Sequence, residues 1–310
     1  MAEPLTPHGF LDGVSRLIRL ARLEGTVDVR CLISGRFSME HEAVGPGTVP
    51  FYLVLHGHCT ATTGSAAIDL APGDLLVFSH GDAHQVRVAD GRKRRYEDEP
   101  GPTFVTRRTV GGGTPELDLF CGHYRFDSAA GVLLFRLLPP LVHVTLDDAA
   151  VRLADVLREE AGFDGSGTGV IVSSLCEALL AMALRSRPEQ RLDTPALWTA
   201  MGDDVLGRVL AEVVDRPGEA WTIERMATAA SMSRATFLRR FSTRTGTTVA
   251  TLLTTIRMMI AADLLTSSAE SVSHIARQVG YSSESAFAQT FRAAVGEPPA
   301  RFRKKSVARD

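Results

Sequence analysis

Between residues 25 and 125 the apolar positions come in short runs, at 27–33, 51–55, 66–70, 75–78 and 85–88. Gly, Pro and Asp turns separate them, and helical periodicity is almost absent. Short strands at such intervals predict an all-β sandwich or barrel. From residue 146 the period changes. LDDAAVRLADVLREE sets Val151, Ala154 and Leu157 at helical spacing, and VIVSSLCEALLAMALRS is a second, strongly apolar helical stretch. GFDGSGTG lies between them, which predicts a helical hairpin over 146–187. SRPEQRLDTP, residues 186–195, is a polar, Pro-containing linker, and a further helix is predicted over 203–214.

The C-terminal part repeats itself. Thr222 can cap a helix in which Ile223, Met226 and Ala227 form one apolar stripe. After a break at 229–232, Ser233 can cap a second helix with Phe237 and Phe241 four residues apart, ending at Gly246. About fifty residues later Ser271 caps a stripe of Val272, Ile275, Ala276 and Val279, and Gly280-Tyr281-Ser282 makes the turn. Ser283 then opens a helix carrying Phe287 and Phe291, ending at Gly296. Superposing Ser233 on Ser283 superposes both Phe pairs and both glycines. Between the copies, TVATLLTTIRMMIAADLLTSS predicts one helix with Leu252, Ile256, Met259, Ile260 and Leu264 inward. Two short helices joined by a tight turn, twice, are two helix-turn-helix units. On one face their second helices would enter successive major grooves if about 34 Å apart.

Charge supports the division. The 310 residues carry a net charge of -2, which gives no hint of a nucleic-acid partner. Cut before Trp221, residues 221–310 hold 13 Lys/Arg against 6 Asp/Glu, while residues 1–220 hold 21 against 30. A basic module on an acidic body is the asymmetry of a nucleic-acid binder. No apolar run is read as reaching the roughly 18 residues a bilayer span needs. Glu3, Asp12, Arg16, Arg19 and Glu24 interrupt the region where a signal peptide keeps its apolar core. The expectation is a cytoplasmic chain without a membrane partner. Four scattered cysteines (Cys31, Cys59, Cys121, Cys176) with no CxxC pair indicate neither a disulfide framework nor a structural zinc site.

SRATFLRRF, IRMMIAADLL, IARQVGYSSESAFAQTFRAAVG and PPARFRK, in this order, resemble the DNA-binding domain of the AraC family of transcription regulators. With Phe237, Phe241, Phe287 and Phe291 as core anchors, helix geometry leaves Arg234, Ala235, Leu238 and Arg239 outward in the first unit. Glu284, Ser285, Ala288 and Gln289 are outward in the second. The resemblance implies base reading at Ala235, Leu238 and Arg239, and at Ser285, Ala288 and Gln289. Arg239 can pair bidentately with guanine and Gln289 with adenine. Arg240, Arg244, Arg292 and Arg301 are expected on phosphates, adding affinity without sequence information.

APGDLLVFSHGDAHQV resembles the second conserved motif of cupins, with Ser79 where a proline is usual. Together with ELDLFCGHYRFDSAAGVLLFRLLPPLVHV and WTIERMA it resembles the AraC-type regulators whose sensor is cupin-like. Cupin enzymes place two His and a Glu on preceding strands, with a further ligand at the position of His84. Here FYLVLHGHCTA offers His56 and His58 after the strand and no suitable Glu, and Tyr52 stands where such regulators commonly have His. No cofactor is therefore expected; a metal at His56, His58 and His84 is the minor alternative. Cys31, Cys59 and Cys121 join those three histidines as candidate ligand- or redox-sensing residues, with Cys121 placed at a strand-to-turn position. The run Arg92-Lys93-Arg94-Arg95 is followed by YEDE, which reads as a self-neutralising loop.

The expected fold class is α+β multidomain. It comprises a cupin-like β-barrel (jelly roll) sensor over 1–145, a helical hairpin and linker over 146–195, and an all-α double helix-turn-helix domain over 196–310. The expected function is a sequence-specific transcription regulator controlled by a small-molecule or redox signal. Its partners are double-stranded promoter DNA, an unidentified small-molecule effector, RNA polymerase if it activates, and a second copy in a homodimer. Two other readings compete: a cupin-type metal-dependent enzyme fused to a DNA module, and a constitutive DNA binder whose barrel only dimerises.

Overall fold

A computed structural model describes residues 13–111, 113–160, 162–163, 165–185 and 200–307. The chain forms two compact units, one of residues 23–126 with 139–192, the other of 1–22, 127–138 and 193–310. The expected linker at 186–195 lies outside the described residues.

The first unit is a sandwich of two sheets. One has seven strands in the order β11-β6-β3-β10-β1-β9-β8: β1 (Glu24–Ile33), β3 (Thr48–His56), β6 (Asp74–Phe78), β8 (Tyr96–Pro100), β9 (Val105–Thr109), β10 (Leu117–Arg125) and β11 (Leu141–Thr145). The other has four, in the order β2-β7-β4-β5: β2 (Phe37–His41), β4 (Cys59–Thr63), β5 (Ala66–Leu70) and β7 (His84–Val88). The predicted runs fall on β1, β3, β5, β6 and β7. The sheets stay open instead of closing into the expected barrel. Edge strand β8 is exposed along its whole length and reads YEDEP, a charged edge that discourages further pairing.

Inward residues of both sheets make one core: Cys31, Tyr52, Val54, Leu76, Phe78, Leu119 and Cys121 meet Phe37, Cys59, Ala61, Leu70 and Val86. Cys121 is mid-strand in β10, not at a turn. Its neighbour Gly122 is there because space is lacking. A Cβ would lie 2.2 Å from the Thr26 carbonyl oxygen and 2.6 Å from the Phe51 ring.

The helical hairpin consists of α3 (Asp148–Glu160) and α4 (Thr168–Arg185), and it packs on β1. Tyr124 donates its hydroxyl hydrogen to the Cys176 carbonyl at 2.9 Å, tying α4 to the sheet. On α3 the buried face is Ala150, Ala154 and Leu157, whereas Val151, apolar at the same spacing, is exposed.

The second unit is all helical: α1 (Gly13–Ala21), α2 (Ala129–Arg136), α5 (Leu206–Asp215), α6 (Ile223–Ala229), α7 (Arg234–Thr245), α8 (Val249–Ser267), α9 (Val272–Gln278), α10 (Glu284–Val295) and α11 (Pro299–Val307). α1 and α2 fall within residues 1–145 in sequence yet pack here, both against α8. α5 begins three residues later than predicted because Asp203 accepts from the amides of Val205 and Leu206 and caps its start.

α8 is the predicted continuous helix, about 28 Å long at 1.5 Å per residue. Leu252, Ile256, Met259 and Ile260 are buried as expected, while Leu265 takes the place of the half-buried Leu264. By length and composition α8 could cross a membrane, contrary to the expectation that no run comes close. Half of it is buried, and it touches α6's partner α7 as well as α9, α10 and α11, so it is the core helix of this unit.

Candidate nucleic-acid interface

The two repeats are built alike, atom for atom at several points. Ser233 accepts from the Thr236 amide at 3.2 Å and Ser283 from the Ala286 amide at 3.4 Å, capping α7 and α10. Both helices end on a left-handed glycine, Gly246 at φ 66° and Gly296 at φ 96°. The Phe237–Phe241 rings lie 5.7 Å apart at 40°, and the Phe287–Phe291 rings 5.6 Å apart at 47°. All four rings are buried. Their burial fixes what faces outward. Arg234, Ala235 and Arg239 are exposed on α7, as are Glu284, Ser285 and Gln289 on α10, with Leu238 and Ala288 half-buried at matching positions.

α8 joins the repeats as one uninterrupted helix. Arg257, near its middle, donates to the Pro217 carbonyl at 2.9 Å and the Glu219 carbonyl at 3.0 Å, and lies 6.0 Å from the Tyr281 ring centroid. One side chain thus links the approach to α6 with the turn before α10.

The arginines expected on phosphates differ in how free they are. Arg240 is bound by Asp203 through contacts of 2.7, 2.8 and 3.0 Å, and Arg244 approaches the same carboxylate at 3.7 Å. Burial pushes the Asp203 carboxyl up, but the Leu206 amide, the Arg240 guanidinium and the Val205 amide outweigh it and hold it below its ordinary value. Arg301 pairs loosely with Glu297 at 3.7 Å, and Arg234 with Glu224 at 2.9 Å. Arg239 and Arg292 have no ion pair among the described residues. Arg240 differs from the rest of the expected set in having a buried carboxylate as partner, while its own side chain stays 38% exposed.

In the sandwich the candidate histidines do not converge. His56 and His58 are exposed at the turn between β3 and β4, whereas His84 is buried at the start of β7. His84 meets Tyr52, which the sequence places where related regulators commonly have His, and also His41 and Phe78, which it does not single out. Its Nδ1–H donates to the Asp82 carbonyl at 2.7 Å, so its Nε2 accepts the Tyr52 hydroxyl hydrogen at 2.6 Å. Phe78 stacks on the ring at 3.8 Å and His41 at 5.0 Å. Burial lowers the His84 pKa against the opposing pull of Asp82, and burial together with His84 and Arg107 lowers that of His41. The cross-strand register that pairs His41 with His84 is invisible without knowing that β2 neighbours β7.

The cysteines do converge. Cys31 and Cys121, on adjacent strands, bring their sulfurs to 4.0 Å, and Cys59 lies in the same core. The Cys31 contact and burial push the Cys121 thiol well up, and burial pushes Cys59 up to about 12. At neutral pH such groups are thiols, poor nucleophiles behind a closed core.

A cavity of about 210 Å³ in the helical unit was not foreseen. Its walls include Ser128, Asp263, Glu297 and Phe302, and its cations Arg22 and Lys305 are paired with Asp263 at 3.0 Å and Glu297 at 2.9 Å.

Residues 12–187 match the cupin family and residues 226–305 a helix-turn-helix domain. The chain is 30% identical over 305 residues to the HTH-type transcriptional regulator MtrA of Neisseria gonorrhoeae, covering 95% of this chain and 99% of that one. An HTH-type transcriptional regulator of Haemophilus influenzae is 29% identical over 296 residues, with the same shares covered. The chain belongs to the AraC family. Among solved structures, the DNA-binding domain of AdpA, a global transcriptional factor crystallised with a target DNA, is 36% identical; 34% of this chain and 96% of that one are covered at a TM-score of 0.33.

This AraC-family chain is therefore a DNA-binding transcription regulator with a cupin-like sensor, and not an enzyme. His84 stands at the position where cupin enzymes hold metal. The Nε2 lone pair of His84 accepts from Tyr52, and among the described residues no three His, Cys, Asp or Glu side chains form a metal-holding group. A resident metal does not fit these residues.

Proposed function

We propose that this regulator recognises promoter DNA through α7 and α10, with Arg239 and Gln289 making the hydrogen-bonded base contacts. Ala235 and Leu238 lie against the groove that Arg239 reads, and Ser285 and Ala288 against the one that Gln289 reads, where the apolar ones suit thymine methyls. Arg234 and Glu284 flank them. Arg244, Arg292 and Arg301 hold phosphates; Arg240, committed to Asp203, orients α7 instead. The observation that carries this reading is the duplicated face, exposed in both repeats around equivalent buried Phe pairs.

The signal is a small molecule or an oxidant acting on the sandwich. The candidate groups there are the Cys31–Cys121 pair, whose buried thiols an oxidant would have to reach through the core, and the Tyr52–His84–His41 cluster. The chain works in the cytoplasm as a homodimer, for which the hairpin supplies an apolar surface: Val156, Phe163, Val170 and Ile171 are exposed on α3, α4 and the turn between them. RNA polymerase is the further partner if regulation is activation.

The test is binding-site selection with the Arg239→Ala chain. Loss of preference at one base position, with affinity weakened by about 1–3 kcal/mol, supports base reading. Equal weakening on every sequence would make Arg239 a phosphate contact.

A further inference from the structure

Cations from two separate segments of the sandwich unit meet at one corner. Arg36, in the turn between β1 and β2, forms an isolated bridge with Lys93. Its amide donates to the Arg92 carbonyl at 3.1 Å, and its Nε–H to the Ala89 carbonyl at 3.0 Å. Two glycines make the approach possible. Gly35 at φ 80° would place a Cβ 2.5 Å from the Arg92 oxygen, and Gly91 at φ 89° would place one 2.8 Å from the Gly35 Cα. The fold thus closes Arg36 onto the run 92–95.

That run is not neutralised by the acids after it, contrary to the sequence expectation. Asp98 is held by Arg107 at 2.7 Å and Glu99 lies 3.8 Å from Arg108. Arg92, Lys93, Arg94 and Arg95 are exposed and make no ion pair among the described residues. The acids left beside them are Asp90, Glu97 and Glu116, whose Oε2 accepts from the Gly35 amide at 2.9 Å: three against five cations. The pairing follows from register: β8 and β9 set Asp98 opposite Arg107 and Glu97 opposite Arg108, with Glu99, opposite Thr106, on the diagonal to Arg108. This corner is cationic on a segment whose overall charge is strongly negative.

We propose that Arg36, Arg92, Lys93, Arg94 and Arg95 form a second DNA-backbone contact, on the sensor rather than the reader. Unpaired like charges held together repel one another until a counter-charge arrives. A duplex supplies phosphates at close, regular spacing, and duplex DNA is the polyanion this family binds. An exposed loop of Arg and Lys offers charge without a shaped base-reading face, so it adds affinity and salt dependence, not sequence preference. The inference rests on DNA binding through α7 and α10.

The experiment is the salt dependence of Kd for the full chain on a duplex extending well beyond the selected site. The combined variant Arg92→Ser, Lys93→Ser, Arg94→Ser, Arg95→Ser is compared with wild type. Each lost phosphate contact lowers the slope of log Kd against log salt by about 0.9, so a fall of about 2–4 is expected with base preference unchanged. The charge-conserving variant Arg92→Lys, Arg94→Lys, Arg95→Lys keeps the wild-type slope. An unchanged slope in the serine variant overturns the second contact while leaving the reader intact, and points to an acidic protein or solvent as what faces the corner. Wild type without any salt-dependent, site-preferring binding overturns the reader assignment itself, and this inference with it.

Discussion

Arg240 reaches back from α7 to grip Asp203 ahead of α5, with its Nη2 2.7 Å from Oδ2 and 2.8 Å from Oδ1. The carboxylate is almost fully buried, at 3% side-chain exposure, while the guanidinium keeps 38%. The pair fixes the first recognition helix to the helix that precedes the module, and two backbone amides complete the carboxylate's shell.

Breaking it should loosen the module. Asp203→Asn is expected to cost about 1–3 kcal/mol, because a charge-assisted bidentate pair and part of a helix cap are lost together. The folded Asp203 pKa is depressed, so its contribution is complete above the unfolded value of about 3.9 and fades as pH falls through the folded value. Thermal melts of wild type and Asp203→Asn should differ by a constant amount near neutrality and converge below about pH 4. A difference that grows in acid would contradict the pair.

The sandwich should show its own acid sensitivity, with a different origin. His84 and His41 resist protonation in the folded state, whereas the unfolded chain takes those protons near pH 6.5. Stability contributed by keeping them neutral is present above about pH 6.5 and is lost below it. Melting of the wild type should therefore drop between about pH 7 and 5, and the drop should shrink in His84→Gln. Tyr52→Phe removes the donor to Nε2 and should cost about 1 kcal/mol at pH 7.5.

Cys31, Cys59 and Cys121 are buried thiols, so their alkylation should be slow in native protein and complete only in denaturant. Intact-mass measurement after iodoacetamide checks this. Treatment with a disulfide-forming oxidant should join Cys31 to Cys121 before either joins Cys59, because those sulfurs are already 4.0 Å apart. Peptide mapping that finds Cys59 cross-linked first would remove the Cys31–Cys121 pair from the candidate sensing groups.

Local signals carried most of the reader. Ser233, Ser283, Gly246 and Gly296 mark helix ends by chemistry that acts within a few residues, and the Phe pairs repeat at helical spacing, so caps, core and outward face could all be read along the chain. The partners of those outward residues could not. Arg240 finds Asp203 37 positions away, a partner that no local signal indicates. The sandwich shows the same limit. Strands β1, β3, β5, β6 and β7 announce themselves by apolar runs, but strand order does not, so the sequence offers His56 and His58 as companions of His84 where register supplies His41. Likewise YEDE follows the basic run in sequence, yet the hairpin of β8 and β9 hands Asp98 to Arg107. α1 and α2 were missed as members of the helical unit because nothing local distinguishes a helix that packs on its sequence neighbours from one that does not.

On the proposed reading, two recognition helices held by one helix, α8, read the same face of a duplex. Its most direct test is the affinity of the full chain for its selected site after about five base pairs, half a helical turn, are inserted between the positions that respond to Arg239→Ala and to Gln289→Ala. The two positions should lie about one turn apart, and the insertion should abolish the contribution of one reader, leaving Gln289→Ala or Arg239→Ala without further effect. Unchanged affinity, with both substitutions still additive on the lengthened site, would contradict a rigid double reader.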